Sequence, residues 1–264
     1  MRRNSLATFL ATALLAAAGA QDLDAFLTKS ETMPRPPASE SEMRMVITNK
    51  AGQSRVREIK SYSSTDAAGN DRQVLIFLAP ADVRDTRFLT IDWESPSKPD
   101  EQYIYIPALR KVRSIGTAGG DSKTGAFLGS DFTFADIGSL DRADFTIRIA
   151  GEESLEGKRY LKIEYLSKGP ATLKKYGYGK ILRWMGAEDA TMRQADYFDG
   201  SGKQVKHLNV KGMHLVDGKY WQFEAFEMSN LETGGRTDWI FDKVTILPKI
   251  DENYFSLRYL EKGR

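Results

Sequence analysis

The chain contains no cysteine. That excludes disulfides, thiolate metal sites and cysteine nucleophiles together, and it leaves no cysteine for N-terminal lipid attachment. Histidine is scarce, with only His207 and His214, and a lone pair at that spacing is no metal motif. No G-x-S-x-G elbow, phosphate-binding loop or dinucleotide fingerprint occurs. Carboxylate pairs such as Glu152–Glu153 and Glu188–Asp189 fall where turns are expected, so solvated turns account for them. The reading is a protein with no catalytic residues, no metal and no cofactor. A charge excess is absent too, with 38 basic residues against 36 acidic. A binder of nucleic acid or a polybasic membrane protein is therefore not indicated.

Only one long apolar run is present, and it lies at the N-terminus. Arg2 and Arg3 precede an apolar stretch from Leu6 to Ala18, and Ala18-Gly19-Ala20 fits a small-residue cleavage site. Residues 1–20 read as a cleavable export signal, too short and wrongly flanked for a membrane span. Losing Arg2 and Arg3 with it leaves the basic and acidic residues of the remainder equal in number. The expected location is the periplasm, without a lipid anchor. Residues 21–264 read as one domain.

What is present is β grammar. After a short helix at Gln21 to Thr32 and the breaker MPRPPASE, runs rich in aromatic and β-branched residues recur to the end of the chain. Turn signals such as NKAGQ, AAGND, DGSGK and ETGG separate them. The pattern predicts about eleven strands in an antiparallel meander that curls, with no βαβ alternation. Two segments stand apart. YIYIPALRKVRSI (Tyr103 to Ile115) is a strand, a proline-bounded turn and a basic tract of Arg110, Lys111 and Arg113. GAFLGSDFTFADI (Gly125 to Ile137) is apolar and aromatic, but too short and glycine-broken for a core helix. Asp131 or Ser130 could cap a short helix there.

These two segments resemble the LolA-like family of outer-membrane lipoprotein-sorting proteins. So do MRMVITNKAGQSRVREIKSY, LIFLAPADVRDTRFLTIDW, KILRWMGAEDATMRQADYFDGSGK and the tail RTDWIFDKVTILPKIDENYFSLRYLEK. The resemblance runs in order from Glu42 to Lys262. It implies a mainly β fold: a single incomplete antiparallel barrel with short helices forming a lid. It also implies a carrier of lipid or lipoprotein acyl chains towards the outer membrane. The alternative is an accessory subunit of an inner-membrane lipid transporter, without cargo of its own. Expected partners are acyl chains, and an inner-membrane transporter through transient membrane-protein contact; no nucleic acid is expected, and the protein is expected to be a monomer.

On that reading Met45, Ile47, Leu89 and Ile91 line one apolar face, and Phe127, Leu128, Phe132, Phe134 and Ile137 form the lid. The segment is hinged on Gly119, Gly120, Gly125 and Gly138, and ligand is expected to order it. Arg110, Lys111 and Arg113 are candidates for a lipid headgroup or an acidic partner.

Overall fold

The structure, a computed structural model, describes residues 23–95, 97–116 and 122–264. The export signal and the hinge glycines Gly119 and Gly120 lie outside the described residues. Helix α1 covers residues 23–31, as the sequence suggests, and is followed by a single sheet. Thirteen strands form it, in the order β6-β5-β4-β3-β2-β1-β13-β12-β11-β10-β9-β8-β7, and every pairing is antiparallel. The strands are β1 (Ala38–Thr48), β2 (Ser54–Thr65), β3 (Asp71–Ala79), β4 (Arg87–Asp92), β5 (Glu101–Ile106), β6 (Lys111–Ile115) and β7 (Phe145–Leu155), then β8 (Lys158–Ser167), β9 (Lys180–Gly186), β10 (Met192–Phe198), β11 (Gln204–Val216), β12 (Tyr220–Asn230) and β13 (Arg236–Leu247).

The sheet does not close: β6 and β7 are its two edges, so the barrel is incomplete, as expected. Thirteen strands replace the expected eleven or so. The run not anticipated is β6, where Lys111 and Arg113 alternate with Val112 and Ser114 and mimic a solvated tract. Glu152 and Glu153 also sit in β7 rather than in a turn, because the β7–β8 hairpin runs on to Leu155.

Three hairpin turns share one device. Asn49, Asp66 and Asp199 each accept backbone N–H bonds at Oδ1 from the second and fourth residues ahead, at 2.8–3.1 Å. The third residue ahead is Gly52, Gly69 or Gly202, at φ of 81°, 86° and 86°. Only glycine takes that left-handed conformation without strain, and the Asx acceptor satisfies N–H groups that the turn would leave bare.

Strand alternation gives the sheet two apolar faces. The inner face carries Met43, Met45, Ile59, Phe77, Phe88, Ile104, Ile163, Ile181, Leu208, Met228 and Trp239. The outer face is apolar over β2–β6, where Tyr62, Val74 and Leu89 pack beneath the C-terminal helix α4 (Leu257–Lys262) through Phe255 and Leu260. The short helices α2 (Phe134–Ile137) and α3 (Pro170–Tyr176) precede it in the chain. Tyr254 stacks on Tyr62 at 4.0 Å there. Among the described residues no helix is long and apolar enough to cross a membrane.

Candidate ligand-binding face

The inner face is covered by the stretch that joins β6 to β7 and so runs from one sheet edge to the other. Its described part, residues 122–144, begins with a tight loop. Phe127 and Phe132 are tied by a backbone bond of 2.7 Å, and Ala126 bridges Thr133. Helix α2 (Phe134–Ile137) follows, and its capping box is complete: the Thr133 hydroxyl accepts from the Asp136 N–H and the Asp136 carboxylate from the Thr133 N–H. The turn at Leu128 and Gly129 is left-handed.

Phe127 enters the sheet's hollow and is fully buried. Its ring lies 5.0 Å from Phe88, 5.3 Å from Phe134, 6.0 Å from Phe77 and 6.0 Å from Trp239. Phe132 meets Trp239 edge-on at 5.7 Å. Aromatic contacts in this range add to the gain from burial. Three polar tethers fix residues 131–136 of the cover to the sheet. Gln102 Nε2 donates to the Phe134 carbonyl at 3.1 Å, and Thr237 Oγ1 accepts from Asp131 N–H at 3.0 Å while donating to Asp131 Oδ2 at 2.8 Å. The last is a buried charge pair, Lys206 Nζ to Asp136 Oδ2 at 2.9 Å, with side chains 11% and 2% exposed. Tyr178 also donates its hydroxyl to Asp136, at 2.9 Å. Burial, then the Asp136 charge, pushes the Tyr178 phenol far above its ordinary value, so it stays a donor.

The expected ligand residues divide. Met45 and Ile47 lie on the inner face with the cover's Phe127, Phe132 and Phe134, and Leu128 and Ile137 pack against the same cluster, half-buried. Leu89 and Ile91 do not join them: both pack in the outer cluster under α4. The expectation of one shared face is corrected by register. Phe88, not Leu89, pairs across β4 with Leu75 of the inner face, and one residue's shift turns a side chain to the other side. Arg110 caps the 3-10 turn Pro107–Leu109 in the left-handed conformation. Lys111 and Arg113 stand exposed on edge strand β6, opposite Ile106 and Ile104, which places them on the inner side at the rim.

Several features lay beyond sequence reasoning. The inner face continues past the cover on β11–β13, where Phe223, Phe226 and Phe241 remain half-exposed with ring separations of 4.7 and 5.9 Å. Two arginines point inward. Arg57 on β2 is buried, one guanidinium nitrogen lacks a partner, and burial lowers its pKa. Arg183 on β9 lies between Ile163 and Ala195 in register. Beside it, under α2, lies a small cleft of about 20 Å³. The register of a charged residue within a strand pattern is the signal that could have found both arginines.

One carboxyl, Asp92 at the end of β4, meets the cover. Burial, then neighbouring Asp100, raises the Asp92 pKa, opposed by a hydrogen bond from Ser139 of the cover. Asp92 thus holds a proton more readily folded than unfolded, and its contribution favours the fold at acid pH and is lost as pH rises through the window above 3.8. Asp92→Asn keeps the Ser139 contact and removes the penalty. It should raise the thermal midpoint at neutral pH, and scans across pH should show a shallower decline than wild type.

An open antiparallel sheet around an aromatic cover is a LolA-like architecture. The fold is similar to that of a LolA superfamily protein from Nitrosomonas europaea, with TM-score 0.66, 13% identity, and coverage of 90% of this chain and 98% of that one. It is more similar to a Vibrio parahaemolyticus domain named for outer membrane lipoprotein sorting, with TM-score 0.79, 24% identity, and coverage of 94% and 100%. A DUF1329 family protein from Desulfovibrio piger gives TM-score 0.80 at 24% identity, covering 92% and 98%. A family model described as that of an uncharacterized protein matches residues 69–262, most of the chain, and the chain belongs to that family. No curated protein matches it. Among the described residues no group of three or more histidine, cysteine or acidic side chains is placed to hold a metal.

Proposed function

We propose that this protein is a periplasmic carrier that holds an acyl chain of a lipid or lipoprotein on the inner face of its sheet and takes it towards the outer membrane. It works without catalysis or cofactor, as a monomer exported by a cleaved leader, with transient contact to membrane proteins. One observation carries the reading: the apolar inner wall is covered by a single irregular segment rather than by closure of the sheet. That wall also continues beyond the cover as the half-exposed Phe223, Phe226 and Phe241. Each methylene moved from water onto such a wall contributes roughly 0.8 kcal/mol, so a long acyl chain offers on the order of 10 kcal/mol. That gain can offset undocking the cover, which occupies the same surface. Met45, Ile47 and the rings of Phe77, Phe88 and Trp239 would then face the chain instead of Phe127.

A second reading, an accessory subunit without cargo, is favoured by the complete burial of Phe127. Organic extraction of protein purified from its periplasm, followed by mass spectrometry, separates the two. A stoichiometric acyl lipid supports the carrier; empty protein that co-purifies with an inner-membrane transporter supports the accessory subunit.

A further inference from the structure

The cleft under α2 has the chemistry of a receptor for a negatively charged group. Its walls include Leu140, Ile181, Tyr176 and Tyr197, with Arg183 set among them. Arg183 occupies the inner face, and its register partners Ile163 and Ala195 are both fully buried. Its guanidinium lies 5.0 Å from the Tyr165 ring centroid. No carboxylate among the described residues pairs with it, and its Nε is buried without a partner. Asp136 lines the same cleft, but its oxygens are taken by Lys206, Tyr178 and the Thr133 N–H. Tyr197, 6% exposed, lies tilted against Tyr178 at 4.8 Å, and its hydroxyl bonds to none of the described residues. A guanidinium held against apolar walls without an anion is unfavourable until an anion arrives.

We propose that Arg183 and Tyr197 bind the anionic head group, carboxylate or phosphate, of the acyl ligand. The inference rests on the carrier reading and assigns the ligand's polarity and direction: head against Arg183 of β9 and Tyr197 of β10, tail along the inner face that the cover vacates. The guanidinium fork matches the paired oxygens of such a head group, and the phenol supplies a further donor. A neutral head would leave the arginine unpaired. With the cover docked the cleft has only about 20 Å³ of room, so the head reaches Arg183 and Tyr197 as the cover is released. Ile181 beside them suits the first methylenes of the chain, the remainder passing along the wall.

The test is calorimetric titration of the full protein with dodecanoate, dodecanol and inorganic phosphate. Wild type should bind dodecanoate about tenfold or more tightly than dodecanol. Arg183→Met, which keeps the stem against Tyr165, should erase the preference by weakening dodecanoate binding to the level of dodecanol. Arg183→Lys keeps the charge and should retain part of it, and Tyr197→Phe should lower it modestly. As a readout without mutation, carboxyl-13C dodecanoate bound to wild type should titrate at lower pH than a carboxyl on an apolar surface.

Equal binding of dodecanoate and dodecanol by wild type overturns the head-group site and leaves the carrier reading standing. Binding of neither overturns both. Binding of phosphate with no binding of dodecanoate identifies a free-anion site and overturns the head-group assignment.

Discussion

Phe127→Ala should bind an apolar ligand more tightly than wild type, by about tenfold or more. The ring fills the hollow between Phe77, Phe88, Phe134 and Trp239. Truncating a fully buried phenylalanine typically costs about 3–5 kcal/mol. In this protein most of that loss falls on docking of the cover, because the sheet beneath keeps its own ladder. A ligand that must displace the cover binds with an affinity reduced by the scarcity of the open state, so loosening the cover raises the apparent affinity. Titration with a fluorescent fatty-acid analogue measures this directly. Weaker binding would mean that Phe127 is a wall of the ligand site and that ligand and cover coexist.

Lys206→Met should destabilise the protein by about 3–5 kcal/mol, since it leaves the Asp136 carboxylate buried without its cation. Tyr178 and the Thr133 N–H would still bond that carboxylate, which sets the loss towards the lower end. Adding Asp136→Asn to Lys206→Met should recover a substantial part, because the unpaired charge, rather than the lost bond, is the larger penalty. Urea denaturation of the single and double variants checks the sign. Equal losses in both would show that packing of the lysine stem, not its charge, holds the cover.

The architecture was legible because the hairpin grammar is local. Asn49, Asp66 and Asp199 write their turns within five residues, and the strands between them alternate. The basic edge β6 was not, since Lys111 and Arg113 read equally well as a solvated tract and only pairing with β5 makes them a strand. Within the candidate site, the cover was visible as an aromatic, glycine-broken segment between the two edge strands. The face assignment was not. Phe88 and Leu89 are both fully buried, one inside and one under α4, so β4 carries apolar residues on both faces and offers no alternation to read. Arg183 was hidden differently. In KILRW it looks like any strand arginine, and its isolation among Ile163, Ala195 and Tyr165 follows from partners distant in sequence. The docked cover also reverses one expectation. The sequence reading has a ligand ordering a loose segment, whereas the structure has the segment already docked, so the account requires the ligand to release it.

That reversal sets the most direct measurement: hydrogen exchange of residues 122–140 at a dodecanoate concentration that calorimetry shows to be saturating. The account predicts that amides tied in the docked cover, such as those of Phe127, Ser130 and Ala135, exchange faster with ligand bound, while the strands of the sheet keep their protection. Unchanged or slower exchange in this segment at saturation would contradict it, because the cover and an acyl chain would then not compete for the same face.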